Sequence, residues 1–190
     1  MSFWSQTDSS IMKDPKRKFR FKVEFSNMNA EKGGGGSTMW FAKTVNKPSF
    51  TINAAEHKYL NHTFYYPGNV TWNEVTLALV DPTEPDAAAL LADFLVDSGY
   101  AVPTDPTMSE EKTISKAKSA GALGAVTISQ INADGTPIEA WTLQNAWISD
   151  VKFGDLEYGA DDLVQIDLTL KYDWATLTPI DGSPRFSTIP

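Results

Sequence analysis

From Leu163 to Trp174 the chain alternates without a break: Val164, Ile166, Leu168, Leu170, Tyr172 and Trp174 occupy one phase, Gln165, Asp167, Thr169, Lys171 and Asp173 the other. Successive side chains of a strand point to opposite faces, so this segment predicts a strand with one face on a core and one in water. The same pattern stands near the other end, where Phe19, Phe21, Val23 and Phe25 alternate with Lys18, Arg20, Lys22 and Glu24. Two half-buried strands so far apart in sequence belong in sheets with one covered face, which points to antiparallel pairing.

The chain between them reads mostly as further strands. Trp40 to Val45 is one, ended by Lys47-Pro48 because proline has no N–H for a ladder. Phe50 to Tyr66 is aromatic and β-branched but alternates poorly, and is read as an arm of two short strands, followed by a turn at Pro67-Gly68. Val70 to Val80 is read as one strand with a bulge near Asn73-Glu74, closed by Asp81-Pro82. Asp86 followed by AAALLADFLVDSG predicts a helix with an apolar stripe of Leu90, Leu91, Phe94 and Leu95 and a C-cap at Gly99. Residues 109–120 predict a second, weaker helix exposing Lys112, Lys116 and Lys118. Ala125 to Ile131 and Ile138 to Ile148 flank Asp134-Gly135, whose glycine supplies the positive φ of a tight hairpin turn.

The expected fold is therefore mainly β, an antiparallel β-sandwich or barrel with one flanking α-helix and minor α+β character. At 190 residues and 42% hydrophobic the chain suits one domain spanning 1–190. Within it we expect an N-terminal extension (1–16), a mobile loop (26–38) around four consecutive glycines, a projecting arm (46–68) and a C-terminal tail (176–190).

Charge is unevenly spread. The net charge is −8, the wrong sign for coating DNA or anionic membranes. Residues 1–60 nevertheless carry ten basic and five acidic groups, and 61–190 six basic and nineteen acidic. Lys13 to Lys22 concentrates the first excess and Asp150 to Asp173 the second. These are either solvated faces and neighbours within one sheet, or complementary surfaces for head-to-tail self-association into a ring or filament. No apolar run reaches the length of a spanning helix and no signal-peptide layout opens the chain, so membrane insertion and Sec export are not expected.

Chemical motifs are weak. The chain has no cysteine, which excludes disulfides, thiolate zinc and a cysteine nucleophile and fits a reducing cytosol. The tetraglycine run lacks the lysine of a phosphate loop. Ser10 to Lys13 and Ser115 to Lys118 match S-x-x-K without its companion motifs, so those serines read as ordinary. His57 and His62, five apart in an extended arm, are expected on opposite faces and not on one metal. Asp155, Glu157, Asp161 and Asp162 depart from the calcium-loop spacing and read as a solvated or interfacial acidic turn. Asn61-His62-Thr63 and Asn69-Val70-Thr71 match glycosylation acceptors, which matter only on a secretory route. Neither an enzyme nor a cofactor is expected. The aromatic arm is a candidate interface, so the composition favours assembly over catalysis.

Three segments together carry a resemblance: WFAKTVNKPSFTI (Trp40 to Ile52), YPGNVTWNEVTLALVDP (Tyr66 to Pro82) and WTLQNAWISDVKFGDLEYGADDLVQIDLTLKYDWA (Trp141 to Ala175). Over residues 17–176 the chain resembles the tail tube proteins of contractile-tailed bacteriophages, which are related to the haemolysin-coregulated tube protein of type VI secretion. The tetraglycine loop and the residues after Trp174 have no fixed counterpart there. The resemblance implies homohexameric rings stacked into a hollow tube inside a sheath, assembled in the host cytoplasm and carried in the virion. It implies as partners the sheath protein, a tape-measure protein, a baseplate tube initiator and a tail terminator, with DNA passing through the lumen without specific binding. It also admits a tube initiator, or the inner tube of a bacteriocin or type VI-like particle; a monomeric β-sandwich binding module is the reading from another class. On this basis the arm residues Asn53, Glu56, His57, Tyr59, Asn61 and Phe64 are expected to contact the adjoining ring. Lys18, Arg20, Lys22, Asp155, Glu157, Asp161, Asp162 and Asp167 are expected at subunit boundaries or in the lumen.

Overall fold

In chain order the elements are β1 (Phe21–Phe25), β2 (Thr38–Met39), β3 (Ala42–Val45), β4 (Phe50–Tyr59), β5 (His62–Trp72), β6 (Val75–Val80), α1 (Ala87–Asp97), α2 (Lys116–Leu123), β7 (Val126–Ile131), β8 (Pro137–Gln144), β9 (Trp147–Lys152), β10 (Gln165–Lys171) and β11 (Trp174–Pro179). The structure is a computed structural model and describes residues 15–27, 38–39, 42–83, 86–101, 113–159 and 161–187. Strands pair antiparallel in the order β11-β8-β7-β1-β2 in one sheet and β3-β6-β10-β9 in a second, while β4 and β5 form a separate two-stranded ribbon. The antiparallel, mainly β architecture expected from the alternation is the one observed. Most of the expected N-terminal extension, the tetraglycine run, the first S-x-x-K motif and the start of the weaker helix lie outside the described residues.

The two sheets face each other across the core. Val23, Phe25, Val126, Ile128 and Leu143 of the first sheet and Val75, Leu77, Leu79, Ile166, Leu168 and Leu170 of the second are all buried. Each is worth roughly 1.5–3 kcal/mol relative to exposure. On β10 the buried residues alternate with less buried or exposed ones, as its sequence phase requires. α1 adds Leu91 and Phe94 to this core. It begins where expected because Asp86 accepts the Ala89 N–H at 3.0 Å, which satisfies one of the helix's open donors. Ser98, not Gly99, is its C-cap; Gly99 follows at φ +102°, the left-handed position just beyond. α2 is a second helix, starting at Lys116 after residues 113–115, which are not the helix expected there, and reaching Leu123, beyond the expected end at Ala120; buried Leu123 supplies the packing that a weak propensity lacks. Ser115 caps it, its Oγ accepting the Lys118 N–H, so the second S-x-x-K serine is structural.

Three runs expected as single strands are each two. Val70–Val80 divides at Asn73-Glu74 into β5 and β6; Ile138–Ile148 divides at Asn145 into β8 and β9; Leu163–Trp174 divides at Tyr172-Asp173 into β10 and β11. At the last two breaks the chain passes from one main sheet to the other; at the first it leaves the β4–β5 ribbon for the second sheet. Asn145 turns with φ +54°, and its Nδ2 donates to Asp173 Oδ2 at 2.8 Å, so the two crossover corners hold each other. Lys116 at the start of α2 donates to both Asp173 carboxylate oxygens, at 2.7 and 2.8 Å. The remaining corner is tied at its own root, where Asn73 donates to the Ser49 carbonyl at 2.8 Å and to its hydroxyl at 3.0 Å.

The turn expected at Pro67-Gly68 is not one. β4 and β5 pair from Phe50–Trp72 out to Tyr59–His62, and the turn is Leu60-Asn61, with Leu60 at φ +50°. Pro67-Gly68 lies within β5, at a register shift opposite Asn53. A Cβ on Gly68 would stand 2.9 Å from the Asn53 carbonyl oxygen, so glycine is what lets the two strands close at the bulge. The expected C-terminal tail begins as structure: β11 pairs with β8 through Pro179, and Leu177 bridges to Arg185.

Candidate assembly surfaces

Each strand of the arm is ten or eleven residues long, so the ribbon extends about 30 Å. Every residue of β4 is exposed, as are all of β5 except Trp72. Among them are Phe50, Ile52, Tyr59, Phe64, Tyr65, Tyr66 and Val70, with Leu60 at the tip 86% exposed. A two-stranded ribbon has no core of its own, and this much apolar surface makes the arm a candidate interface. His57 pairs with Phe64 and Tyr59 with His62, so both histidines share one face of the ribbon with Tyr59, Phe64 and Tyr66. The expectation of opposite faces is corrected by the turn between them, which returns the strand in register. Glu56 and Lys58 stand on the other face with Tyr65; Asn53 sits at the bulge and Asn61 in the turn.

The base of the arm is fixed by aromatic contacts. Phe50 and Trp72 meet edge to face at 5.4 Å, and Phe186, from beyond β11, packs against both at 6.0 and 5.8 Å. Trp141 stacks on Phe186 at 6.4 Å.

The acidic turn joins β9 to β10. Asp155, Glu157, Asp161 and Asp162 are all exposed there, together with Phe153, Leu156, Tyr158 and Leu163. Leu156 is 87% exposed, so the turn is as apolar as it is acidic. Gly154 lies at φ +79°, where a Cβ would come within 2.5 Å of the Gln165 carbonyl oxygen, so the turn leaves β9 tightly over the start of β10. Asp167 is not part of it: it stands on β10 in register with Lys152, beside a polar groove of about 300 Å³ that Thr44, Thr76 and Asp150 also line.

The three basic residues read on one strand face, Lys18, Arg20 and Lys22, separate. Lys22 points from β1 to Glu24, 2.8 Å away; Arg20 lies over the Phe19 ring; Lys18 precedes the strand and lines a cavity of about 670 Å³ between the first sheet and β3. The alternation before Phe21 is not strand, and Phe19 is 75% exposed. Lys16, Lys43 and Lys47 share that cavity with Lys18, above Phe21, Val45, Ile128 and Trp141.

Glu139, which sequence reasoning passed over, stands beside this mouth with only 8% exposure. It accepts hydrogen bonds from Lys47 Nζ at 2.7 Å, from Trp141 Nε1 at 2.7 Å and from Lys16. Burial by itself would raise its carboxyl, but these three donors and the Lys47 charge outweigh it and hold the group at about 2. The signal was its phase, since Glu139 shares that of Trp141 and Leu143 on the inward face of β8. Among the described residues no three His, Asp or Glu side chains gather as metal ligands.

Among the described residues the first sheet ends at β2 and β11, where Arg185 bridges to Leu177, and the second ends at β3 and β9, each paired on one side. Such edges carry unpaired backbone donors and acceptors.

No protein-family model matches the sequence, and no curated protein matches it. Solved structures do. A chain of the anti-feeding prophage baseplate, solved with six-fold symmetrisation, superposes with a TM-score of 0.63 at 17% identity, over 89% of this chain and 99% of that one. A chain of the PVC extracellular contractile injection system, in its extended sheath–tube complex, gives 0.63 at 17% identity over 92% and 99%. A chain of the anti-feeding prophage tube-terminating cap gives 0.62 at 15% identity over 94% and 99%. At these identities the likeness is one of fold, and it covers nearly the whole of each chain.

Proposed function

We propose that this chain is the structural subunit of a contractile tail tube, forming homohexameric rings that stack head-to-tail into a hollow conduit. The observation that carries the reading is the arm, whose exposed aromatic face has no core to cover and whose base is clamped by Phe186. The shared fold with chains of tube-bearing particles supports it. In a ring, β3 of one copy pairs with β9 of the next, removing both open edges of the second sheet. The ring's two ends differ, so stacking is heterologous and continues as a filament. Asn53, Glu56, His57, Tyr59, Asn61 and Phe64 carry the arm onto the adjoining ring. The sheath, a tape-measure protein, a baseplate initiator and a terminator are the partners, and in a virion DNA passes through the lumen.

Negative-stain electron microscopy of concentrated protein, with a light-scattering mass on the same sample, tests this. Rings or tubes support it; a 20.9 kDa monomer that stays so when baseplate components are added sinks it. A second reading, the inner tube of an injection particle without a DNA cargo, is favoured by the likeness to injection-system chains. Nuclease-protected DNA in purified particles would decide for the phage tail, and its absence for the injection particle. A tube initiator would stop at one ring.

A further inference from the structure

We infer that the acidic-apolar turn between β9 and β10 docks into the lysine-rimmed mouth beside β3 of the next copy, locking one ring subunit to its neighbour. The inference rests on the tube-subunit reading and names a contact that the fold alone does not specify. The two surfaces match in both charge and polarity. The mouth presents Lys18 and Lys43 over an apolar floor of Phe21, Val45 and Ile128. The turn presents Asp155, Glu157, Asp161 and Asp162 around exposed Leu156 and Tyr158. Glu139 takes up part of the charge of Lys16 and Lys47, and it does so within its own chain, leaving the rim with an excess of lysine among the described residues.

The topology places these surfaces so that one copy can offer both. β3 and β9 are the opposite edges of the same four-stranded sheet; Lys43 stands on the first and the turn leaves directly from the second. Every pairing from β3 through β6 and β10 to β9 is antiparallel, so β9 runs opposite to β3. A ring axis along the strands preserves those directions, and β9 of one copy therefore meets β3 of the next antiparallel. The turn following β9 is then carried to the neighbour's mouth. Because mouth and turn are different surfaces, each copy gives one and receives one, and the contact propagates until the ring closes.

The absence of cysteine makes this directly testable. Lys43→Cys and Tyr158→Cys variants, purified separately, are mixed under ring-forming conditions and oxidised. A disulfide-linked dimer that needs both variants, and a ladder ending at a closed ring for the double variant, is the expected result. Wild-type rings without that cross-link, or with no more of it than a Lys43→Cys and Leu60→Cys control pair, would overturn the contact while leaving the tube reading intact. Absence of wild-type rings under every nucleating condition would overturn both. As an independent measure, Asp161→Lys with Asp162→Lys should raise the concentration for half-assembly at least tenfold, with Lys18→Glu and Lys43→Glu recovering part of it. Equal assembly by all variants would contradict the docking.

Discussion

The ammonium of Lys47 lies 2.7 Å from Oε1 of Glu139, joining the segment just past β3 to the inward face of β8 across the open side of the sandwich. The pair spans 92 positions of sequence and links the two sheets where apolar packing gives way to a water-accessible mouth. A carboxylate this buried persists only because its donors outweigh its desolvation.

That balance sets an acid response. The Glu139 carboxyl falls from 4.5 to about 2 on folding, so its contribution is complete above 4.5 and is lost as pH falls from 4.5 towards 2. The full shift corresponds to up to about 3 kcal/mol, reduced by the solvent that reaches the half-exposed lysines. Urea titrations at pH 7 and pH 3 should show wild type losing more stability than Glu139→Gln. Equal losses in the two proteins would show that the pair contributes nothing.

Phe186 predicts a role for the C-terminal segment. Phe186→Ala removes its edge contacts to Phe50 and Trp72 and its stack on Trp141, at about 0.5–1.5 kcal/mol for each pair, with the lower end apt for a half-exposed ring. Hydrogen exchange at residues 50–52 and 70–72 should accelerate, while β10 stays protected. Unchanged exchange at the arm base would mean that Phe50 and Trp72 hold it unaided.

What was legible in the sequence follows from how local its cause is. The phase of β10, the helix after Asp86 and the Asp134-Gly135 turn each depend on neighbouring residues, and each stands where the pattern put it. The crossovers were hidden because a strand that changes sheets keeps its alternation, and what breaks it is a distant partner, as Asp173 is for Asn145. The arm's turn was hidden for a similar reason: Leu60 at φ +50° carries no turn signal, whereas Pro67-Gly68 carries one and is a bulge. With no turn placed between them, the shared face of His57 and His62 could not be read. The acidic turn was legible as charge, but the lysine mouth proposed to receive it joins Lys18 to Lys43 only through the packing of β1 and β7 against β3.

Gly154 tests how tightly that turn must fold. An alanine there meets both a positive φ and the Gln165 carbonyl oxygen at 2.5 Å, so the Gly154→Ala backbone must shift, at a cost of about 1–3 kcal/mol. A lowered urea midpoint together with weakened ring formation is expected. A variant that is destabilised yet assembles at the wild-type concentration would separate the turn's conformation from its proposed contact.

The arm offers the cleanest division between folding and assembly, because its residues are exposed in the single chain. Phe64→Asp with Tyr66→Asp puts two charges on the face that Tyr59, His57 and His62 share. Substitution at exposed positions with no buried partner usually changes stability by no more than about 0.5 kcal/mol. Burying those carboxylates against another ring would cost several times that. The variant should therefore unfold at the wild-type urea midpoint and form single rings, with no stacks seen by electron microscopy. Stacked tubes of normal length would exclude this face from the inter-ring contact, and loss of rings as well as stacks would move the arm to the interface within the ring.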